Sequence, residues 1–328
     1  MEAKEYEGIV YVSGKMERVC REVEYVAGIE IPVLITGESG VGKELVAIAI
    51  KNKSLRRDKK FVVIDCAGIK YELFESELFG HIKGAFTGAI ANRKGLFETA
   101  SGGTVFFDEI SEVPLNLQAR LLRLIETRSF RPVGSSEDYR NANVRILAAT
   151  SKDLYYLVKE GRFRADLYYR LKRFCINIPP LRERIEDIPV LINYFTDKFQ
   201  KLHDKELKRP MGDLVSALIQ MEWRGNVREL ENAIESEVVK PFSALDSEFF
   251  LENILMNSNL HLNGDRDGSK KLALEEGRAL LDKVMIERVI SNSLTLESAA
   301  DKLLVSSKTL RRRMMTLGIN KENLGKSL

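Results

Sequence analysis

The sequence predicts an α/β domain with a parallel, doubly wound sheet, followed by smaller all-α parts. Three observations carry this. An apolar run at 31–36 feeds a glycine loop and then a helical pattern at 44–50; a second apolar run at 103–107 ends in the acid pair Asp108-Glu109; and further short apolar runs at 61–65 and 144–151 alternate with helical periodicity.

The first run ends in Gly37-Glu38-Ser39-Gly40-Val41-Gly42-Lys43. A strand entering such a loop aims backbone N–H groups and a helix N-terminus at one point, a cradle for a polyphosphate that Lys43 would hold. Glu44 stands where this pattern normally carries the Ser or Thr that ligates Mg²⁺. The run 61–65 reads as a strand buried on both faces of the sheet, with Asp65 ending near the ligand. Asp108 and Glu109 complete a P-loop ATPase site, Asp108 holding Mg²⁺ and Glu109 polarising the attacking water. The polar end of run 144–151 is placed to touch the γ-phosphate or that water. Helical faces are expected around Met16, Val19, Val23 and Val26, over 72–79, and around Leu117, Leu121, Leu124 and Ile125.

Composition bounds the rest. The chain has 328 residues, 44% apolar and 30% charged, with a net charge of +3, so attraction to nucleic acid requires local asymmetry. Cys20, Cys66 and Cys175 form neither a disulfide framework nor a zinc spacing, which fits a reducing cytoplasm. No stretch is long and apolar enough to cross a bilayer. The glycine loop begins about thirty residues in, which leaves no room for a separate N-terminal sensory domain. The basic run 51–60 reads as a solvated helix end and connector.

A second glycine-rich segment, Gly84-Ala85-Phe86-Thr87-Gly88-Ala89, has no phosphate-loop lysine and suits a mobile tip presenting Phe86 to a partner. Arg164 and Arg170 lie beside tyrosines and read equally as surface charges or as fingers acting on a neighbouring subunit's nucleotide. After Pro179-Pro180 the pattern is helical to 239, with Arg228 able to reach back to the nucleotide and Trp223 packing. Residues 257–270 are a polar linker. Beyond it, 280–290 forms an amphipathic helix, and 296–303 with 306–317 forms two short helices and a tight turn, with Ser306 as N-cap. In this helix-turn-helix Leu310, Met314 and Leu317 face inward, while Ser307, Lys308, Thr309, Arg311 and Arg312 meet phosphates and base edges. From 271 to 328 there are eleven Lys plus Arg against seven Asp plus Glu, a modest basic surplus. A small helical oligomerisation module is the alternative.

Together these residues resemble the bacterial enhancer-binding proteins, the sigma-54-dependent activators of the AAA+ superfamily. The resemblance spans about 8–320, and residues 84–89 match the family's GAFTGA loop, which grips sigma-54. It implies an AAA+ P-loop ATPase at 1–177, an α-helical lid at 178–256, a linker at 257–271 and a Fis-type helix-turn-helix at 272–328. It implies ATP and Mg²⁺ as cofactors, Ser151 as sensor I, Arg164 and Arg170 as trans-acting fingers and Arg228 as sensor II. Its implied partners are sigma-54 with RNA polymerase, enhancer DNA, copies of the chain from dimer to hexamer ring, and a regulatory protein in trans, all in the cytoplasm. Glu44 is in keeping with the family. Ser151 replaces the usual Asn or His, Asp65 the Asn that restrains the catalytic Glu, Arg224 a common Pro and Leu304 the turn glycine. Two rival functions are a DNA-binding regulator that keeps the ATPase fold only as a scaffold and a general AAA+ remodeller; the loop 84–89 argues against both.

Overall fold

The chain opens with a hairpin, β1 (Lys4–Tyr6) and β2 (Ile9–Tyr11), whose turn residues Glu7 and Gly8 both have positive φ, the geometry of a two-residue hairpin loop. Ser13 then starts α1 (Gly14–Ala27), its Oγ accepting from Met16 N, and Met16, Val19, Val23 and Val26 are buried as their spacing predicts. The structure is a computed structural model that describes residues 3–136, 138–204, 215, 218, 219, 221–239, 286 and 306–319. It divides into two units, Met1–Asp187 with Asn226–Arg228, and Ile188–Gly225 with Glu229–Leu328.

In the first unit, α1 leads to β3 (Val33–Thr36), α2 (Lys43–Asn52), β4 (Phe61–Asp65), α3 (Tyr71–Phe79), α4 (Leu96–Thr99) and β5 (Thr104–Asp108). There follow α5 (Leu115–Thr127), the small antiparallel pair β6 (Ser129–Phe130) and β7 (Arg140–Asn141), β8 (Arg145–Thr150), α6 (Leu154–Lys159), α7 (Ala165–Leu171) and β9 (Cys175–Asn177). The main sheet has five parallel strands in the order β4-β5-β8-β3-β9. The fifth, β9, is too short to stand out as an apolar run.

Alternate residues serve opposite faces, as the two-residue period of a strand requires. Leu34, Val105, Phe107, Ile146 and Ala148 enter a core shared with α3, α5 and α7. Val33, Ile35, Phe106, Leu147 and Ala149 enter a second core shared with α1 and α2. The expectation that 61–65 is buried on both faces is corrected: β4 is an edge strand, Val63 is 44% exposed, and only Ile64 is fully buried. An apolar run records what the strand can bury, and its place at the edge decides what it does bury. The basic run 51–60 also has a structural exception. Arg56 donates to Gly103 O and Asn143 O, both at 2.8 Å, and pairs with Glu30.

Asp187 is fully buried and accepts from Val12 N (2.7 Å), Ser13 N (2.7 Å) and Ser13 Oγ (2.8 Å). Removing that carboxylate strands buried donors, which costs about 1–3 kcal/mol for each unsatisfied group. Asp187→Ala is therefore expected to destabilise the first unit by roughly 3 kcal/mol, read as a lowered urea midpoint; an unchanged midpoint would refute this account.

In the second unit, α8 (Ile188–His203) buries Ile188, Leu191, Ile192, Phe195 and Phe199, a helical stripe. The helix Asn226–Val239 buries Leu230, Ala233, Ile234 and Val238, and Lys198 pairs with Glu231 across the two helices at 2.7 Å. Trp223 is a packing residue, its Nε1 donating to Leu218 O at 2.8 Å. The helix Ser307–Thr316 is capped by Ser306, whose Oγ accepts from Thr309 N, and it buries Leu310 and Met314. Lys308, Arg311 and Arg312 are exposed, Ser307 and Thr309 partly so, and Leu317 is half-buried. The expected helices at 280–290 and 296–303 lie outside the described residues, apart from Ile286, which is helical and buried.

Candidate nucleotide site and partner loop

A parallel sheet gathers its ligand at the carboxyl ends of its strands, and here β5, β8 and β3 are adjacent. Their ends deliver Asp108-Glu109, Ser151 and the loop 37–42 to one place. Gly37, Gly40 and Gly42 have φ of 153°, 78° and 103°. At Gly37 a Cβ would also meet Ile178 O at 2.8 Å, so a side chain there is excluded by space as well as by backbone.

Lys43 begins α2 and is buried. Its Nζ donates to Gly37 O (3.0 Å) and Glu38 O (3.2 Å) and pairs with Glu109 Oε1 at 3.2 Å. Glu109 sits in the left-handed region, φ 51°, so its side chain leaves the strand line. Its other oxygen, Oε2, accepts from Ser151 N (2.9 Å) and Ser151 Oγ (3.0 Å). Asp108 is half-buried, and burial together with the adjacent Glu109 charge pushes its carboxyl above the usual range. Glu44 is exposed in the first turn of α2.

Asp65 ends β4 in register with Asp108 on the neighbouring strand. Its Oδ1 accepts from Ala67 N (3.1 Å) and Gly68 N (3.2 Å), closing its own turn.

Arg182, Arg184 and Asn226, which hold the glycine loop, escaped sequence reasoning. Glu38 is gripped by Arg182, with Nη2 to Oε1 at 2.6 Å and Nη1 to Oε2 at 2.8 Å, and by Asn226 Nδ2 at 3.1 Å; hydrogen bonding to Arg182 holds its carboxyl down at about 2. Asn226, fully buried, also donates to Ser39 O (3.0 Å) and accepts from Leu181 N (2.7 Å). Arg184 donates to Val41 O at 3.0 Å, and Arg228 N donates to Gly40 O at 3.2 Å, while the Arg228 side chain is exposed. The loop is thus held from outside at Glu38, Ser39, Gly40 and Val41. The only signal for Asn226 was its place in Trp223-Arg224-Gly225-Asn226-Val227-Arg228.

Gln118 interrupts the apolar face of α5 and is completely buried. Its Nε2 donates to Val113 O (3.0 Å) and Arg162 O (3.3 Å), and its Oε1 accepts from Arg164 N (2.8 Å). It ties the segment after Glu109 to the backbone of Arg164. The Arg164 side chain is exposed and pairs with Asp166 at 2.8 Å; Arg170 is partly exposed on α7. A polar residue at a core-facing helical position was the available signal.

The loop 84–89 extends beyond α3. Gly84 and Gly88 take φ of 82° and 99°, Gly84 N donates to Ala89 O (2.8 Å), and Ala89 N donates to Phe86 O (3.0 Å). Its stem is closed by a bridge between His81 and Arg93 and another between His81 and Val133. Thr87 and Gly88 are exposed, while Ala85 is half-buried and Ala89 buried. Phe86 is 42% exposed and rests edge-on against the His81 ring, centroids 4.9 Å apart; His81 Nδ1 in turn shares a hydrogen bond with Ser76 Oγ at 2.7 Å. The tip residue Phe86 is therefore presented against a ring that is itself held by Ser76.

Residues 9–177, over half of the chain, match the sigma-54 interaction domain, and residues 182–246 match the AAA+ ATPase lid domain. The chain belongs to the sigma-54 interaction family. It is similar to the transcriptional activator HyfR of Escherichia coli K12, 48% identical over 231 residues, 70% of this chain and 34% of HyfR. It is also similar to the transcriptional regulatory protein GlrR of the same organism, 42% identical over 275 residues, 84% of this chain and 62% of GlrR. The chain thus spans about a third to under two thirds of these relatives. Among solved structures, NtrX from Brucella abortus in complex with ATP superposes with a TM-score of 0.67 at 28% identity, over 94% of this chain and 69% of NtrX. The parallel sheet and helical lid are those of the AAA+ P-loop ATPase fold.

Proposed function

We propose that this chain is the motor and DNA-binding part of a transcriptional activator that hydrolyses ATP to convert a sigma-54 RNA polymerase closed complex into an open one. The observation that carries the reading is the convergence of Lys43, Asp108-Glu109 and Ser151 on a loop-bearing strand end, in the same unit as the exposed Phe86 tip.

The glycine loop and Lys43 bind and orient the phosphates, and Glu109 takes a proton from the attacking water. A divalent cation fits beside Asp108, whose half-buried carboxyl carries unfavourable burial and a like-charged neighbour. Among the described residues no three His, Cys, Asp or Glu side chains converge on a metal position, so Asp108 would share the ion with phosphate oxygens. Mg²⁺, when bound, supplies charge neutralisation along the phosphates. Arg164 and Arg170 reach the nucleotide of a neighbouring copy, and a closed ring, dimers maturing to a hexamer, gives every site such a neighbour. Arg228 reports nucleotide state from the lid side.

Residues 84–89 engage sigma-54 from a surface whose height follows the nucleotide. We assign the organisation as ATPase 1–177, lid 178–256, linker 257–271 and helix-turn-helix 272–328, with Ser306, Ser307, Lys308, Thr309, Arg311 and Arg312 facing enhancer DNA. Anchored dimers raise local concentration for ring assembly. A regulatory partner acts in trans, in the cytoplasm. Open-complex formation measured with sigma-54 RNA polymerase, enhancer-bearing promoter DNA and ATP is expected to require this protein. Opening with the core polymerase alone, or with no ATP, would reject the reading, and so would ATP hydrolysis without opening.

A further inference from the structure

Three facts about Glu109 fit together. The ammonium of Lys43 donates to Gly37 O and Glu38 O and forms an ion pair with Glu109 Oε1, so its partners all lie within the chain. Glu109 Oε2 is held twice by Ser151, through backbone N and Oγ. At the end of β4, Asp65 Oδ1 accepts from Ala67 N and Gly68 N, closing its own turn.

We infer that Ser151 is the positioning residue that restrains Glu109, holding it as a stand-in anion on Lys43 in the resting site so that nucleotide must displace it. The inference rests on the ATPase reading of this site. Glu109 occupies the lysine as a phosphate oxygen would, and a bound diphosphate competes with it directly. The restraint on Glu109 comes from the end of β8, the strand lying between β5 and β3.

ADP has no γ-phosphate, so it separates this role from γ-phosphate sensing. Ser151 is exposed, and removing its hydroxyl opens no cavity. In titrations of the whole chain with ADP, Ser151→Ala is expected to bind about 5- to 10-fold more tightly than the parent, the scale of one hydrogen bond to a charged group. Glu109→Ala is expected to tighten ADP at least as much. Adding Ser151→Ala to it should change nothing further, because Ser151 acts through Glu109. Ser151→Thr, which keeps the hydroxyl, should restore parental affinity. If the parent binds ADP and Ser151→Ala binds it equally or more weakly, or if the two substitutions add, the clasp is wrong while the ATPase reading stands. A parent that binds neither ADP nor ATP removes the ATPase reading and the clasp together.

Discussion

Replacing Arg164 by alanine is expected to lower ATP turnover by about 10³- to 10⁵-fold, the range measured for arginine fingers, while ATP affinity stays near that of the parent. The side chain is exposed and stands at the N-terminus of α7, paired with Asp166 rather than with Glu109 of its own site. A guanidinium so placed is free to serve the next copy once it leaves that carboxylate. The prediction has a positive arm. Mixing Arg164→Ala chains, with an intact phosphate loop, and Lys43→Ala chains, with an intact finger, should recover hydrolysis at the seams where the two meet. Full activity of an isolated Arg164→Ala monomer would exclude action in trans.

Phe86→Ala should keep ATP hydrolysis within a few-fold of the parent and lose promoter opening by about 30-fold or more, the cost of an aromatic contact worth roughly 2 kcal/mol. The ring touches His81 and nothing of the Lys43–Glu109–Ser151 group, so its removal leaves the chemistry intact. Normal opening by the variant, measured on the same template, would take the loop out of the mechanism.

What was legible in the chain was contiguous. The loop 37–43 and the run ending at Asp108-Glu109 each carry their chemistry within a few residues, and the strand–loop–helix grammar around them sets both on one sheet edge. The two-residue alternation that splits Val33 and Ile35 from Leu34 was hidden, because a strand covered on both faces reads as uniformly apolar. Conversely, the apolar run 61–65 reads as a strand buried on both faces, although β4 lies at the sheet edge with Val63 exposed. Long-range hydrogen bonds left even less trace. Asn226 reaches Ser39 across 187 positions, and Gln118 reaches Arg164 across 46. Neither residue type announces such a partner. Glu109 was legible as a candidate catalytic carboxylate, whereas its grip by Ser151 needed the third dimension.

The hold on the phosphate loop by Asn226 bears on how this protein can be dissected. A fragment ending at Asp187 would contain every strand of the main sheet. It would nevertheless leave Leu181 N, Ser39 O and one oxygen of Glu38 without their amide partner, and Gly40 O without the Arg228 N–H. The cradle for the nucleotide is closed by a segment some forty positions downstream of that cut. Sequence order and mechanical unit do not coincide, and a truncation drawn along the chain would sever the working part it was meant to isolate.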